Sequence, residues 1–454
     1  MQGTKNLTEG VISRQLFNLA MPIMGTSFIQ MAYSITDMAW VGRLGSEAVA
    51  AIGAVGILTW MTNSISYLNK VGSEVSVGQS IGAQNVEDAR GFASHNLTIA
   101  LILSLCWGFL LFVLAHPIIG FYKLEEPIAL NAVEYLRIVA SAFPFIFLSA
   151  AFTGIHNAAG LSKIPFYISG TGLLLNMVLD PLFILGFHLG TAGAAWATVA
   201  SQAVSALLLS AHFLLGMSKV RLRPRFIRLW RPLARRIAVM GVSPFGVQIA
   251  TAVTMILYNW QALAYGGDIG VAAYAVVGYI VPVGVMLEEG VAEGIQPLIS
   301  YYHGANLRAR RRLTARLGFT AAVLVGLVCS LLLFASDRIV PAFFSMHGEA
   351  ASVAARGLFL SVPVFPFLGL AKVGASYYQA VGRSDMASVL TYGDPFILQP
   401  LFLWTLPLFL ALDGVWLAMF FTNMTLAAIF VIMWRRGSGR RRMPLTGGGL
   451  MDIL

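Results

Sequence analysis

The sequence predicts an all-α membrane protein in which twelve transmembrane helices form two six-helix bundles. Three observations lead to this fold class: a strongly apolar composition, twelve long apolar runs and an internal repeat. The 454 residues are 57% hydrophobic and only 11% charged, and their mean hydropathy is +0.76. Soluble domains carry about 25% charged residues, so this composition indicates a polytopic membrane protein.

The apolar runs give the predicted helices in chain order. Each run is long enough to cross the bilayer core, which takes about 20 residues of α-helix. The twelve runs begin near Leu16, Val49, Asn96, Val133, Phe166, Gly193, Val239, Val271, Leu317, Gly357, Ser388 and Gly414.

The basic residues indicate the orientation of these helices. Most of the 30 Lys and Arg fall in segments that twelve helices place on the side of the N-terminus, chiefly 219–236, 308–316 and 435–442. By the positive-inside rule, both termini are expected in the cytoplasm, with the protein in the cytoplasmic (inner) membrane. The net charge of +10 therefore indicates contact with anionic lipid rather than nucleic acid.

The polar N-terminus leads directly into the first apolar run, so we expect no cleaved signal peptide.

The chain repeats itself at an offset of 222 residues. The matching residues include Pro22 and Pro244, Gly45 and Gly267, Arg90 and Arg312, and Gly160 and Gly382. Six helices thus repeat six helices in the same orientation. We expect an N-terminal bundle over 1–215, a basic cytoplasmic linker over 216–236, a C-terminal bundle over 237–434 and a cytoplasmic tail over 435–454.

Parallel six-helix repeats are a common plan of secondary transporters, which enclose a cavity and work by alternating access. A purely structural duplication is the alternative. There is no GxxxxGK[ST] stretch, which argues against a nucleotide as the energy source. An intramembrane enzyme would need convergent catalytic groups, but the seven His are scattered and the two Cys have no CxxC spacing. We therefore predict a transporter without a cofactor, not an enzyme.

Asp37, in the first predicted helix, is a candidate coupling residue. A carboxylate at the bilayer centre costs on the order of 3 kcal/mol, so an intramembrane acid is by default a functional hypothesis. The repeat places Asn259 at the equivalent position, and only the acid can exchange a proton or offer a full charge to a cation. Gln30 and Tyr33 precede Asp37 on the same helix face. A structural hydrogen bond between helices is the other interpretation.

Asp180 is a second intramembrane acid found only in the first half. Asn176 lies one turn earlier on the same helix face, and Pro181 frees backbone carbonyls directly after the acid. Thr198, on the sixth helix, adds a hydroxyl. These oxygen atoms suit a small hard cation, so Asp37, Asn176, Asp180 and Thr198 form the predicted cation-coupling site and a possible sodium site. A structural hydrogen bond again remains the alternative for Asp180.

The eighth predicted helix carries three further acids, Glu288, Glu289 and Glu293. They either line the cavity and attract a cationic substrate or pair with Lys372 or Arg356, and no spacing rule separates these options. Asp394, directly before Pro395, is interpreted as a cap near the cytoplasmic end of the eleventh helix, and a place in a proton path is the alternative. The predicted substrate-cavity residues are Gln30, Tyr33, Asn157, Asn259, Glu288, Glu289 and Glu293.

Several long motifs resemble those of the multidrug and toxic compound extrusion (MATE) transporters. They include "QMAYSITDMAWVGRLGSEAVAAIG", "LLLNMVLDPLFILG", "GTAGAAWATVASQ" and "EGIQPLISYYHGA", and the resemblance extends from one end of the chain nearly to the other. By this resemblance, Asp37 corresponds to the family's acid in the first helix, and Asn176 and Asp180 correspond to its residue pair in the fifth helix. The surrounding polar residues of the family's N-terminal site correspond to Gln30, Tyr33 and Thr198. Another branch uses acids in helices 7 and 10, where this chain has Asn259, Gln261 and Lys372.

The resemblance implies antiport, in which organic, often cationic or amphipathic, compounds leave while protons or sodium ions enter. The sequence does not distinguish the two coupling ions. The wider superfamily includes lipid-linked oligosaccharide flippases, so export of a lipid-linked or amphipathic metabolite is the alternative function. The expected partners are small-molecule substrates and the lipid bilayer, with the protein acting as a monomer.

Overall fold

The computed structural model describes residues 11–217, 230–336, 339–340 and 348–438, and these residues form α-helices and short π-helical turns without a strand. The first half contains α1 (Ile12–Gly42), α2 (Ser46–Gly82), α3 (Val86–Val113), α4 (Ala115–Gly120), α5 (Glu126–Ala140), α6 (Phe143–Ala158), α7 (Lys163–Pro181) and α8 (Gly190–His212). The second half contains α9 (Arg231–Gly304), α10 (Arg308–Ser336), α11 (Gly348–Ser361), α12 (Val364–Ala380), α13 (Ser384–Gly393), α14 (Gln399–Thr405), α15 (Pro407–Leu410) and α16 (Leu412–Ser438).

The described helices account for the twelve predicted membrane spans. Eight are long and apolar enough to cross a membrane, and ten spans result when two bent pairs are each counted as one. These pairs are α5 with α6, bent by 44°, and α11 with α12, bent by 49°. The 74-residue α9 contains two spans, because a straight helix of that length would measure about 110 Å and α9 breaks at Gly267 (φ 56°, ψ −150°). The 31-residue α1 is not among these ten, but it exceeds the about 20 residues that cross a bilayer core, and it completes the twelve spans.

The 222-residue repeat is visible in the backbone. Turns at equivalent positions share positive φ angles: Gly45 (106°) with Gly267 (56°), Gln84 (60°) with Asn306 (56°), and Gly160 (77°) with Gly382 (80°). Helix boundaries agree as well, since α2 ends at Gly82 and α9 ends at Gly304, while α3 begins at Val86 and α10 at Arg308. Both the predicted repeat and the all-α fold class are confirmed.

The chain divides into two compact units. The first comprises chiefly Phe17–Phe245, and the second comprises Val11–Leu16, Gly246–His303 and Leu307–Leu454. The packing boundary falls at residue 245, later than the repeat-based start of the C-terminal bundle at 237. It lies there because the beginning of α9 packs on α2: Gly241 meets the backbone of Leu68, and Gly72 meets that of Ile237. The centre of the predicted linker, 218–229, and the tail from 439 lie outside the described residues.

The largest apolar core of the first unit lies among α2, α3, α5, α6 and α8. Its fully buried members include Leu136 and Phe143 at the α5–α6 bend. Tyr135 and Ile184 belong to the same cluster. Ile184 lies in the π-helical turn that follows α7, so this core supports the end of α7, where Asp180 lies.

Candidate functional site

Asp180 lies at the last turn of α7 and is completely buried. Pro181 ends the helix, and a π-helical turn over Leu182–Gly186 follows, closed by a hydrogen bond from the Phe187 N–H to the Leu182 carbonyl at 2.9 Å. A proline removes one backbone donor and prevents the regular helical bond at its position. The local sequence therefore interrupts the membrane helix directly after its acid, a backbone irregularity frequent at functional sites.

Asn176 connects Asp180 to the neighbouring helix α8. With its amide oriented to satisfy both neighbours, Asn176 donates from Nδ2 to Asp180 Oδ2 at 3.0 Å and accepts from the backbone N–H of Thr198 at 3.1 Å. Asn176 is 1% exposed, so these hydrogen bonds are shielded from solvent. The predicted pairing of Asn176 with Asp180 on one face of the helix is present, and Thr198 lies beside it.

Asp37 lies in α1 with its carboxyl in hydrogen-bonding contact with that of Asp180. One oxygen of each acid, Oδ1, is buried and has no partner within the described part of the chain. The side chain of Tyr33, one turn before Asp37, forms a hydrogen bond with the side chain of Thr198. Helices α1, α7 and α8 thus contribute to one polar cluster inside the first unit. Its members are Tyr33, Asp37, Asn176, Asp180 and Thr198.

Tyr135 of α5 is a member of this cluster that the sequence analysis did not identify. It is 8% exposed and lies within electrostatic range of Asp37, Asp180 and Tyr33. A tyrosine in an apolar run normally indicates packing or a membrane interface. One signal was available in the repeat, because position 357, the equivalent of Tyr135, is a glycine.

Gln30, Asn157 and Asn259 are not part of the cluster. Gln30 is exposed on α1, two turns before Asp37, and Asn259 is exposed in the second unit. Asn157 is 4% exposed at the end of α6, beside His156, whose Nε2 lies 3.0 Å from Nδ1 of His212. His212 follows Thr198 by 14 residues of helix, about 21 Å, so Asn157 lies at the other end of the bundle. The assignment of Asn157 to the substrate cavity stays a prediction.

The three glutamates of the eighth predicted helix lie on α9 in the second unit, and each has a different environment. Glu288 is completely buried and packs against Gly369, so it does not line a cavity. Glu289 accepts a hydrogen bond from Lys372 at 2.7 Å, which was one of the two options. Glu293 is half-buried. The alternative partner, Arg356, binds Asp413 instead at 2.9 Å.

The two acids of the first unit can hold a proton or a small cation. Two carboxyl groups form a hydrogen bond only when at least one is protonated, since an ionised carboxylate is an acceptor only. Two ionised carboxylates in contact repel each other, so a positive charge must be present whenever both are ionised. The unpartnered Oδ1 atoms of Asp37 and Asp180 are the available ligands, while Asn176 keeps Asp180 in place. The Asp37–Asp180 pair can therefore bind and release one proton or one small cation.

Comparison with known proteins identifies the family. The MatE family model matches residues 22–182 and 245–398. A probable multidrug resistance protein, YoeA of Bacillus subtilis (strain 168), is 24% identical over 86% of this chain and 85% of its own. A multidrug export protein, MepA of Staphylococcus haemolyticus, is 21% identical over 98% of both chains. The solved structure of a MOP superfamily transporter from Pyrococcus furiosus superposes with a TM-score of 0.89, at 22% identity, over 96% of this chain and 98% of its own.

The two matched segments lie in the two halves of the repeat and together span well over half of the chain. The structural likeness extends over the full set of helices. The chain therefore belongs to the MATE family of multi-pass membrane transporters.

Proposed function

We propose that this protein is a secondary active multidrug efflux antiporter, which exports organic, often cationic or amphipathic, compounds in exchange for protons or sodium ions by alternating access. The observation that carries this proposal is the contact between the Asp37 and Asp180 carboxyls inside the first unit. The names of the relatives YoeA and MepA support export of drugs, and the carboxyl pair supplies a binding site for the ion that drives it.

Binding and release of a proton at the Asp37–Asp180 pair changes the interaction energy between α1 and α7. With one proton between them, the two carboxyls attract each other through a hydrogen bond. Without it, two carboxylates about 4 Å apart repel each other by about 4 kcal/mol at an effective dielectric constant of 20. A difference of this size shifts the population of two arrangements of α1 against α7 by several hundredfold or more. The proton is thereby linked to a movement of α1.

The geometry favours a proton over sodium as the coupling ion. Sodium would need several oxygen ligands, and the side-chain oxygen of Asn176 already accepts the Thr198 N–H. It would also have to separate the carboxyls that are in contact. A proton needs only the two carboxyls as they stand, which supports a proton as the coupling ion.

The proposal extends to location and partners. Placement in the cytoplasmic membrane with both termini in the cytoplasm is supported by the distribution of Lys and Arg. The protein acts as a monomeric transporter rather than an enzyme, with small molecules and the lipid bilayer as its partners. Apart from the coupling ion, it uses no cofactor.

The decisive experiment measures efflux of a fluorescent organic cation from proteoliposomes with a pH gradient or a sodium gradient imposed separately. The test variant is Asp37→Asn, which installs the residue that the second half carries at the equivalent position. Asp268→Asn is the matched control, since Asp268 is an exposed acid outside the site. We expect efflux driven by the pH gradient in the wild type and the control, and none in Asp37→Asn. Efflux at the wild-type rate in Asp37→Asn would refute the role of the carboxyl pair, and efflux driven only by sodium would identify sodium as the coupling ion.

A further inference from the structure

A second charged cluster lies inside the second unit, formed by residues of α9, α12 and the turn after α13. Lys372 of α12 donates to Oε1 of Glu289 on α9 at 2.7 Å, and the two side chains are 24% and 33% exposed. Asp394 lies within electrostatic range of the Lys372 ammonium. The cluster is therefore accessible at its Glu289–Lys372 end and extends inward to Asp394.

Asp394 lies inside the eleventh span and not near its end as predicted, and it is the residue that caps the C-terminus of α13. It follows the ten residues of α13, about 15 Å into the span Ser384–Leu410, where a π-helical turn over Asp394–Leu398 interrupts the helix. Its Oδ1 is buried without a partner within the described part of the chain. The sequence analysis misplaced Asp394 because the following Pro395 was taken as an end signal, whereas the span continues through the turn.

Two further buried polar side chains near Asp394 each have one atom without a partner among the described residues. Gln399, 2% exposed, forms a hydrogen bond with Asp394, while its Oε1 has no partner among the described residues. The hydroxyl of Tyr258, 5% exposed, is likewise unpartnered and lies within electrostatic range of Asp394. Buried polar groups are nearly always hydrogen-bonded, so three orphan atoms at one place indicate a site with more than one occupancy state.

The charges around Asp394 can be inventoried element by element. From α12 it faces Lys372, which binds Glu289 of α9, and from α9 it faces Tyr258. Helix α16 carries no charged residue between Asp413 and Arg435. Two carboxyls thus share one ammonium. While Lys372 binds Glu289, an ionised Asp394 would be an uncompensated charge inside the membrane, which costs several kcal/mol. A protonated Asp394 would avoid this cost and would leave the cluster as a whole neutral.

We propose that Glu289, Lys372 and Asp394 form a cation-exchange site in the second unit, at which an organic cation replaces Lys372 on Glu289 and Lys372 moves to Asp394. Asp394 then releases its proton, so that one cation is bound and one proton leaves. The cluster is neutral before the exchange, as Glu289⁻ with Lys372⁺ and protonated Asp394. It is neutral afterwards, with both carboxylates ionised and two cations bound. The flexible stem of lysine, a single ammonium on four methylenes, suits such a movement.

This inference rests on the proposed export of organic cations, and it adds a second place where substrate and proton exchange. The residues concerned are separate from Asp37 and Asp180 both in sequence and in compact unit. The two sites can therefore be tested independently.

The experiment measures binding of tetraphenylphosphonium to the full-length protein in nanodiscs, together with proton release into weakly buffered solution containing a pH dye. All variants carry Asp37→Asn and Asp180→Asn, so that the first site contributes no proton. We expect one proton released per bound cation in this background. Adding Asp394→Asn should abolish the release and weaken binding by about tenfold, because the displaced ammonium then has no carboxylate to receive it. Adding Lys372→Met should preserve binding to Glu289 and abolish the release.

Asp385→Asn is the matched control, because Asp385 lies in the first turn of α13 and its one ion pair within the described part of the chain is an exposed contact with Arg383 at 3.6 Å. Its binding and proton release should equal those of the background protein. Proton release that persists in Asp394→Asn or Lys372→Met would overturn the exchange site, as would cation binding without proton release in the background protein. In either case the proposed efflux function would stand on the gradient-driven transport of the wild type. A wild type that neither binds nor exports organic cations would overturn both proposals.

Discussion

The contact between Gly193 of α8 and the π-helical turn after α7 provides a test of what stabilises the Asp37–Asp180 site. A Cβ at Gly193 of α8 would lie 2.8 Å from both C and O of Phe183 and 3.0 Å from N of Ile184. Carbon atoms pack at about 3.5 Å or more, so Gly193→Ala must move α8 and the turn apart by about 0.6 Å. The obstructing atoms are backbone, and a rotamer change cannot relieve the contact.

The same displacement should open the site. The Thr198 N–H on α8 lies 3.1 Å from the Asn176 side chain on α7, and an added 0.6 Å would place these atoms about 3.7 Å apart, beyond hydrogen-bond range. Overpacking of this kind costs about 1–3 kcal/mol. We expect Gly193→Ala to lower the thermal stability of the purified protein and to reduce gradient-driven efflux at least severalfold.

Gly186→Ala is the matched control, because a Cβ there meets only the flexible end of Leu182 at 3.4 Å. Thermal unfolding of the purified proteins and efflux from proteoliposomes would be measured side by side. The reasoning is refuted if Gly193→Ala unfolds at the same temperature and transports at the same rate as Gly186→Ala. Loss of stability with full transport would show that the Asn176–Thr198 hydrogen bond is not required.

Three further predictions follow from the described contacts. Asp180→Asn keeps the shape of a fully buried side chain but removes the second carboxyl, so gradient-driven efflux should be lost while the unfolding temperature stays near that of the wild type. Tyr135→Phe removes one hydroxyl beside both acids and should slow efflux severalfold; an unchanged pH profile of efflux would show that this hydroxyl only packs. Asp413→Asn breaks the largely exposed pair with Arg356, with side chains 37% and 58% exposed, and should change the free energy of unfolding by less than about 1 kcal/mol without affecting efflux.

The features that follow from length and apolarity were predictable from the sequence. A bilayer requires about 20 apolar residues per helix, so twelve runs specified twelve spans before any contact was known. The repeat identified Asp37 through its mismatch with Asn259, and helical spacing paired Asn176 with Asp180. In each of these cases the length of a run or the spacing of residues along the sequence is enough to predict the structural feature.

The features that depend on packing between distant helices were not predictable in this way. The contact of Asp37 with Asp180, and the presence of Tyr135 beside them, depend on how α1, α5 and α7 pack. The partner of Glu289 was one of two options until α9 and α12 were placed together. Asp394 was misjudged because a proline within a membrane helix can mark either an end or an interruption.

The two halves have placed their charged groups at different points of the same duplicated helices. In the first half the acids are on the first and fifth helices, and position 172, the equivalent of Asp394, is a glycine whose Cα faces Ser205 with no room for a side chain. In the second half Asn259 replaces the first-helix acid, Phe402 replaces Asp180, and the charges lie on the eighth, tenth and eleventh helices. In both halves a π-helical turn follows an acid directly or begins at it, at Asp180 and at Asp394. The two turns are not at equivalent positions, because Leu182 corresponds to Trp404 at the offset of 222 residues, whereas the second turn begins at Asp394. The fifth helix of each bundle therefore has an interruption at a position of its own, beside a carboxyl pair in one unit and beside a lysine between two carboxyls in the other.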